Sequence, residues 1–272
     1  MRQTAKPGIR VRVDPCNPGQ FFACCGLLEL ADRLWEGAEG WFEGGAFHVL
    51  TAGGVCELLH ALVGQPASEV TRLDNGVTVK PLIAPLRLSL PNGASITLDT
   101  WMTLRIEKGK VATSANPPWN FWSGQQTSLR IWAALTTALQ TQMEELDEGS
   151  FEALFGQRIP LSGRFGFDPG AAWNALDVGF SPDAQHIRVA TSPATELLAA
   201  VGLQRFRPML SDDRASFAYA TWGQPLLPSV AAAAASSLVV VPPASVFRGR
   251  VLRRGSYAAL GYSMPLPLER NN

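Results

Sequence analysis

The stretch that most constrains the fold is Asn17-Pro18-Gly19-Gln20-Phe21-Phe22-Ala23-Cys24-Cys25-Gly26-Leu27-Leu28. Asn17 is a good helix N-cap, Pro18 suits the first helical position, and Gln20 stands at the third, as in a capping box. From Phe21 to Leu28 every residue is apolar or glycine, and only Glu29, Asp32 and Arg33 interrupt before Trp35. A helix apolar all round is buried on most sides. The rest of the chain must therefore wrap it.

A second stretch matches it. Leu197-Leu198-Ala199-Ala200-Val201-Gly202-Leu203-Gln204-Arg205-Phe206 aligns with Phe21 to Leu30, glycine on glycine. Glycine inside a helix costs about 1 kcal/mol against alanine, so it marks a close backbone approach. The match is short, and both duplication and coincidence stay open. Cys24 and Cys25 align with Ala200 and Val201, which are packing residues. Adjacent helical cysteines point about 100° apart and cannot form a disulfide without distorting the backbone. Cys16 and Cys56 complete the set, without a CxxC spacing, and His48, His60 and His186 lie outside any paired ligand pattern. No metal or other cofactor is expected.

Residues 9–13 alternate and read as a strand. Residues 40–50 read as a strand or hairpin broken at Gly44-Gly45, and 55–63 as a short helix. Residues 82–90 and 94–102 read as strands joined by Pro91-Asn92-Gly93, because Asn-Gly supplies the positive φ of a hairpin turn. The longest helix is expected over 128–146, ending in Glu144, Glu145, Asp147 and Glu148. Those acids sit at the end where the helix dipole disfavours them, and they read as a solvated end. Arg164-Phe165-Gly166-Phe167 reads as a short strand. Asp168-Pro169-Gly170 reads as the capped start of a helix reaching about residue 176. Ser192-Pro193-Ala194 starts another over 195–206. An alanine-rich helix follows over 229–237. A terminal strand pair over 246–252 and 257–264 comes last, with Arg253-Arg254-Gly255-Ser256 between. The pattern is α+β, antiparallel sheets with packed helices. It divides into two α+β units over 1–150 and 151–272, or forms one continuous domain.

Charged residues are only 17% of the chain, against about a quarter in ordinary soluble domains. A largely neutral surface suits a subunit lying against other chains. Net charge is zero, so a nucleic-acid role needs locally clustered charge. The longest uncharged apolar run, 231–241, is broken by Ser236-Ser237 and too short to span a bilayer. No apolar leader segment is visible. A cytoplasmic protein with reduced thiols and no membrane partner is expected.

No nucleophile elbow, P-loop, Rossmann or metalloprotease motif is present, so an enzyme is not expected. A metal-independent ribonuclease would draw on the histidines, each of which reads as structural. The basic residues say more. Arg248, Arg250, Arg253 and Arg254 cluster without an acid, and Arg248 and Arg250 share strand parity. Arg205 and Arg207 stand at a helix end, and Arg164 opens the Arg-Phe-Gly-Phe run. The guanidinium fork suits phosphate; solvated edges and a complemented helix dipole are the alternatives. In Trp119-Asn120-Phe121-Trp122-Ser123-Gly124-Gln125-Gln126, Trp119 and Trp122 with Gln125 and Gln126 could stack on bases or hold a partner. The alternative is that the segment folds back onto the core.

As a set, DPCNPGQFFACCGLLELADRLW, RFGFDPGAAWNALDVGFSP, SPATELLAAVGLQRFRP, YATWGQPL and RGSYAALGYSMPL resemble the third of the Csb proteins of type I-G (formerly I-U) CRISPR-Cas systems. The resemblance runs from about residue 9 to residue 265. It implies a cytoplasmic subunit of prokaryotic antiviral defence. The implied partners are the other type I-G Cas proteins together with CRISPR RNA, target DNA or both. It carries over no catalytic residue, and it implies that the two units are built as ferredoxin-like, RNA-recognition-type folds. An endoribonuclease maturing CRISPR RNA, or a regulatory accessory outside the effector, is the alternative.

Overall fold

The computed structural model describes residues 8–114, 119–122, 126–161, 163–170, 189–254 and 257–267. It begins with β1 (Ile9–Arg12), α1 (Pro18–Trp35), β2 (Glu39–Glu43) and β3 (Ala46–Leu50), and then α2 (Val55–Val63). The strands form an antiparallel sheet in the order β1-β3-β2, so α1 crosses between two strands that are not neighbours. Gly44 and Gly45 both take positive φ (59° and 74°), the hairpin turn expected there.

The chain continues through β4 (Ser68–Glu69), β5 (Leu86–Ser89) and β6 (Ser95–Leu98), which pair in that order, and then β7 (Thr103–Glu107) and β8 (Lys110–Ser114), a separate hairpin. Next come α3 (Ser128–Glu145), a 3-10 segment (Glu148–Gly156) and β9 (Ile159–Leu161). Then follow β10 (Val189–Thr191), α4 (Pro193–Arg205), β11 (Met209–Leu210), β12 (Ser216–Ala220) and α5 (Pro228–Ala235). The last elements are β13 (Val246–Arg254), β14 (Tyr257–Leu260) and β15 (Met264–Leu266). β9 pairs β10, and β11, β12, β13 and β14 lie side by side, with β15 also on β13. All these pairings are antiparallel. The α+β class follows. The β1–β3 sheet with α1 and α2 has the strand order of most of a ferredoxin-like unit. Its next strand, β4, pairs with β5 in another sheet, so among the described residues no complete unit forms.

α1 is the centre, buried from Phe21 to Ala31. Asn17 caps it as expected, its side chain accepting from the Gln20 amide at 3.2 Å. Gln20 departs from the capping box: its side-chain oxygen takes the amide of Asp14 instead of that of Asn17. α1 lies against α4 through the two aligned glycines. A methyl on Gly26 would stand 2.0 Å from the carbonyl oxygen of Leu198, and one on Gly202 would stand 2.0 Å from that of Phe22. Phe22 aligns with Leu198 and Gly26 with Gly202, so the crossing is pseudo-twofold. Each glycine lies over the carbonyl four residues before the other. The aligned pair Glu29 and Arg205 meets across the same axis as an ion pair.

Aromatic rings close the core around this pair. Phe21 lies 4.3 Å from Tyr219 centroid to centroid, and Phe42 stands edge-on to Trp222. The Trp222 indole donates to the Gly40 carbonyl at 2.7 Å, and the Tyr219 hydroxyl donates to that of Pro15 at 2.8 Å. Gly40 and Leu226 exchange backbone bonds, so residues 222–226 run beside β2.

Several local expectations need correction. Residues 82–90 are not one strand: Pro81–Ile83 is a 3-10 turn, and only Leu86–Ser89 pairs with β6. In its turn Gly93 alone has positive φ (84°), and the Asn92 side chain bonds back to the Ala94 amide. Arg164-Phe165-Gly166-Phe167 is not a strand, because Gly166 sits at φ 90° and turns both phenylalanines into the core. Arg253 and Arg254 belong to β13 and not to a turn.

Cys24 and Cys25 are fully buried, and burial pushes both thiols well above their ordinary pKa. A thiol held neutral is a poor nucleophile and a poor metal ligand. Replacing both by alanine is expected to lower stability by roughly 1–3 kcal/mol for the lost volume and to leave partner binding intact. Denaturant titration alongside a binding assay checks this.

Candidate functional site

The sheet formed by β11 to β15 has one buried face and one open face, set by alternation along β13. Phe247, Gly249 and Val251 face inward, while Arg248 and Arg250 are exposed. Gly249 is required there: a methyl on it would lie 2.4 Å from the Phe217 ring, its partner on β12. On the open face Arg248 is flanked by Ala218 of β12 and Met264 of β15, with Met209 of β11 beyond Ala218. Ser216 stands opposite Arg250. No acid shares either row, and among the described residues neither arginine makes an ion pair. Asp212 and Asp213 sit in the β11–β12 turn. There the Asp213 carboxylate accepts from Ser211 and from the Ala215 amide, which holds it below the usual carboxylate range. Arg253 and Arg254 carry β13 onward, paired with Ala258 and Tyr257.

Of the other candidate arginines, Arg205 and Arg164 are drawn into the fold and Arg207 is not. Arg205 donates from Nε and Nη2 to Glu29, which is 2% exposed and also binds Arg33. That bond raises the Arg205 pKa and ties α4 to α1. Arg207 is exposed beyond α4, and its charge offsets part of the rise that burial causes in Asp99. Arg164 is half-buried, and its charge offsets part of the burial of Glu196.

The aromatic segment folds onto the core. Trp119 packs edge-on against Phe22 and Phe217, and Trp122 against Trp101 and Phe165. The Trp122 indole donates to the Leu82 carbonyl at 3.1 Å. Both rings are buried, so neither offers a face for a base to stack on. Gln126 is half-buried before the Thr127 cap of α3. Gln125, His186 and the helix expected over residues 171–176 lie outside the described residues.

Two capped turns meet behind the core, and their shared Pro-Gly was the sequence signal for it. The Asn17 side chain donates to Asp168 Oδ1 at 2.9 Å. The same oxygen accepts from the Gly170 amide at 3.0 Å, the expected cap, and from Arg158 at 3.3 Å. Glu196, fully buried in the first turn of α4, accepts from the amides of Gly166 and Asp168 at 2.9 and 3.0 Å. Burial, with the nearby Asp168 charge, pushes the Glu196 carboxyl up to about 7. Asp168 and Glu196 are closed off from solvent, and the cluster ties the starts of α1 and α4 together.

His48 stacks on Trp41 with centroids 5.0 Å apart. Arg10, His48 and Trp41 form a row on the outer face of the β1–β3–β2 sheet. Glu39 and Glu43 share the parity of Trp41, and Glu152 pairs with both Arg10 and Arg12, so this face does not favour phosphate. His60 is exposed on α2. Among the described residues no cluster of histidine, cysteine and acids could hold a metal ion, and no helix is long and apolar enough to cross a membrane.

The face around Arg248 and Arg250 is thus the described surface best suited to an anionic partner. Compared with family profiles, curated proteins and solved structures, the chain matches none.

Proposed function

We propose that this chain is a non-catalytic subunit of a type I-G RNA-guided effector complex, and that the open face of β13 lies along a nucleic-acid backbone. The observation that carries the reading is the pair Arg248 and Arg250. They stand two residues apart on one face, about 6.8 Å along the strand, exposed and without an acid in their rows. A rigid donor fork on an open strand suits phosphate oxygens, and it reads backbone instead of base sequence. The sequence blocks quoted above supply the partner class: the other Cas proteins of the system, with CRISPR RNA or its DNA target.

The test is a binding titration against CRISPR RNA across a salt series. Replacing Arg248 and Arg250 by alanine is expected to flatten the dependence of log K on log salt by about 1.4. Extending the change to Arg253 and Arg254 should flatten it by up to about 2.8. Thermal midpoints should not move, because both outward arginines are exposed. Unchanged slopes in both variants would falsify the arginine assignment. Co-purification of the tagged chain from cells expressing the whole operon tests membership in the complex separately.

A further inference from the structure

No residue of the β7–β8 hairpin joins the buried core. Lys108 and Gly109 form its turn with φ of 50° and 75°. The register places Leu104 opposite Thr113 and Ile106 opposite Val111 on one face. Arg105 opposite Ala112 and Glu107 opposite Lys110 lie on the other. The apolar face is uncovered: Ile106 is 80% exposed, Leu104 49% and Val111 46%. A two-stranded hairpin alone is marginally stable in water, and such a face gains most from a partner that buries it. Its charges are basic on balance, Arg105, Lys108 and Lys110 against Glu107.

A complementary surface exists on the same chain. The C-terminal ends of α2 and α3 enclose a groove of about 510 Å³ lined by His60, Val63, Gly64, Gln140, Met143 and Glu144. Val63 and Met143 make its floor apolar. Glu144 sits in its wall, and Glu145 and Asp147 are exposed just beyond. Asp147 caps the next segment through the Ser150 amide, whereas Glu144 and Glu145, which oppose the helix dipole, stand where the hairpin's cations would be met.

We propose that the β7–β8 hairpin of one copy docks into the α2–α3 groove of a second copy, with Ile106 entering the groove and the basic turn, led by Lys108, meeting Glu144 and Glu145. Hairpin and groove are different surfaces, so the contact is heterologous: a reciprocal exchange closes a dimer, and a single contact leaves a free groove and a free hairpin to which copies add in a ring or a row. This is independent of the arginine face, which can fail or hold without it.

The experiment is sedimentation velocity of the full chain, from micromolar to hundreds of micromolar. The average mass should rise with concentration and fall with added salt, since the exposed charges are screened. Ile106→Asp should give monomers at all concentrations. So should Lys108→Glu with Lys110→Glu, and so should Glu144→Lys with Glu145→Lys. Mixing the two charge-reversed proteins should restore association in one-to-one proportion, because each protein's hairpin now matches the other's groove. The altered side chains are exposed, and unchanged thermal melts confirm that each variant folds. A wild-type chain that stays monomeric throughout overturns the proposal. So does a charge-reversed mixture that fails to associate, or a hairpin covered only by a different protein.

Discussion

Alanine at Gly26 or at Gly202 is expected to lower the stability of the chain by roughly 3 kcal/mol or more, at or above the upper end of overpacking costs. The reason lies in what the new methyl meets. At both positions the obstacle is a backbone carbonyl 2.0 Å away on the facing helix, and a carbonyl in a helical ladder cannot swing aside as a side chain does. Relief requires α1 and α4 to separate, which loosens Phe21, Phe22 and Leu198 together. Because one separation relieves both clashes, the double variant should cost clearly less than the sum of the two singles. Gly156→Ala is the control: open space surrounds Gly156 and its φ is not positive, so little change is expected. Urea titrations of the four variants beside wild type decide it. Two single variants within about 0.5 kcal/mol of wild type would mean that the helices do not cross at these glycines.

Stability should also fall as the pH rises from about 4.5 to 7, by up to about 3 kcal/mol from Glu196 alone. The carboxyl titrates near 7 in the folded chain against an ordinary 4.5. Between those values the folded state binds the extra proton, so raising the pH favours unfolding. The contribution is fully present below about 4.5 and gone once pH passes 7. Asp99, also raised by burial, acts with the same sign. Glu152, Asp147 and Asp213 are lowered and act with the opposite sign, at pH below their ordinary values. Glu196→Gln should remove most of the slope. It should also lower the baseline, because an amide offers only one oxygen to the two backbone N–H groups of Gly166 and Asp168. Denaturant midpoints at pH 5, 6, 7 and 8 measure both effects. A wild type whose midpoint does not fall over that range would rule out a raised Glu196.

What could be read from the chain is what local rules decide. The cap at Asn17, the proline behind it and the unbroken apolar run specify α1 closely, and its all-round apolar character foretells its central place. Gly26 and Gly202 announce a close approach, but nothing local says that they approach each other. That became visible only when the aligned segments were found across one axis. β11 and β12 escaped because they are short, although Phe217 and Tyr219 alternate as strand residues do. Their absence hid the row beside Arg248. The exposure of Arg248 and Arg250 followed from strand parity, whereas the engagement of Arg205 by Glu29 did not. Those two residues are 176 positions apart, and no spacing rule joins them. Trp119 and Trp122 show the same difficulty: an aromatic run reads alike whether it faces a base or Phe165. The α3 acids were legible as charges at an unfavourable helix end, but the groove beside them depends on α2.

The helix crossing has a further consequence during synthesis. Gly26 cannot meet Leu198 until another 172 residues have been made. At bacterial or eukaryotic elongation rates that interval is roughly 10 to 35 seconds. Throughout it the α4-facing side of α1 has no native cover, and it is among the most apolar surfaces the chain makes. Contacts that span so much of the chain also slow the search for the native state. The nascent protein thus carries a ready-made chaperone client in residues 18–35, and it loses that character only when its twofold-related segment arrives.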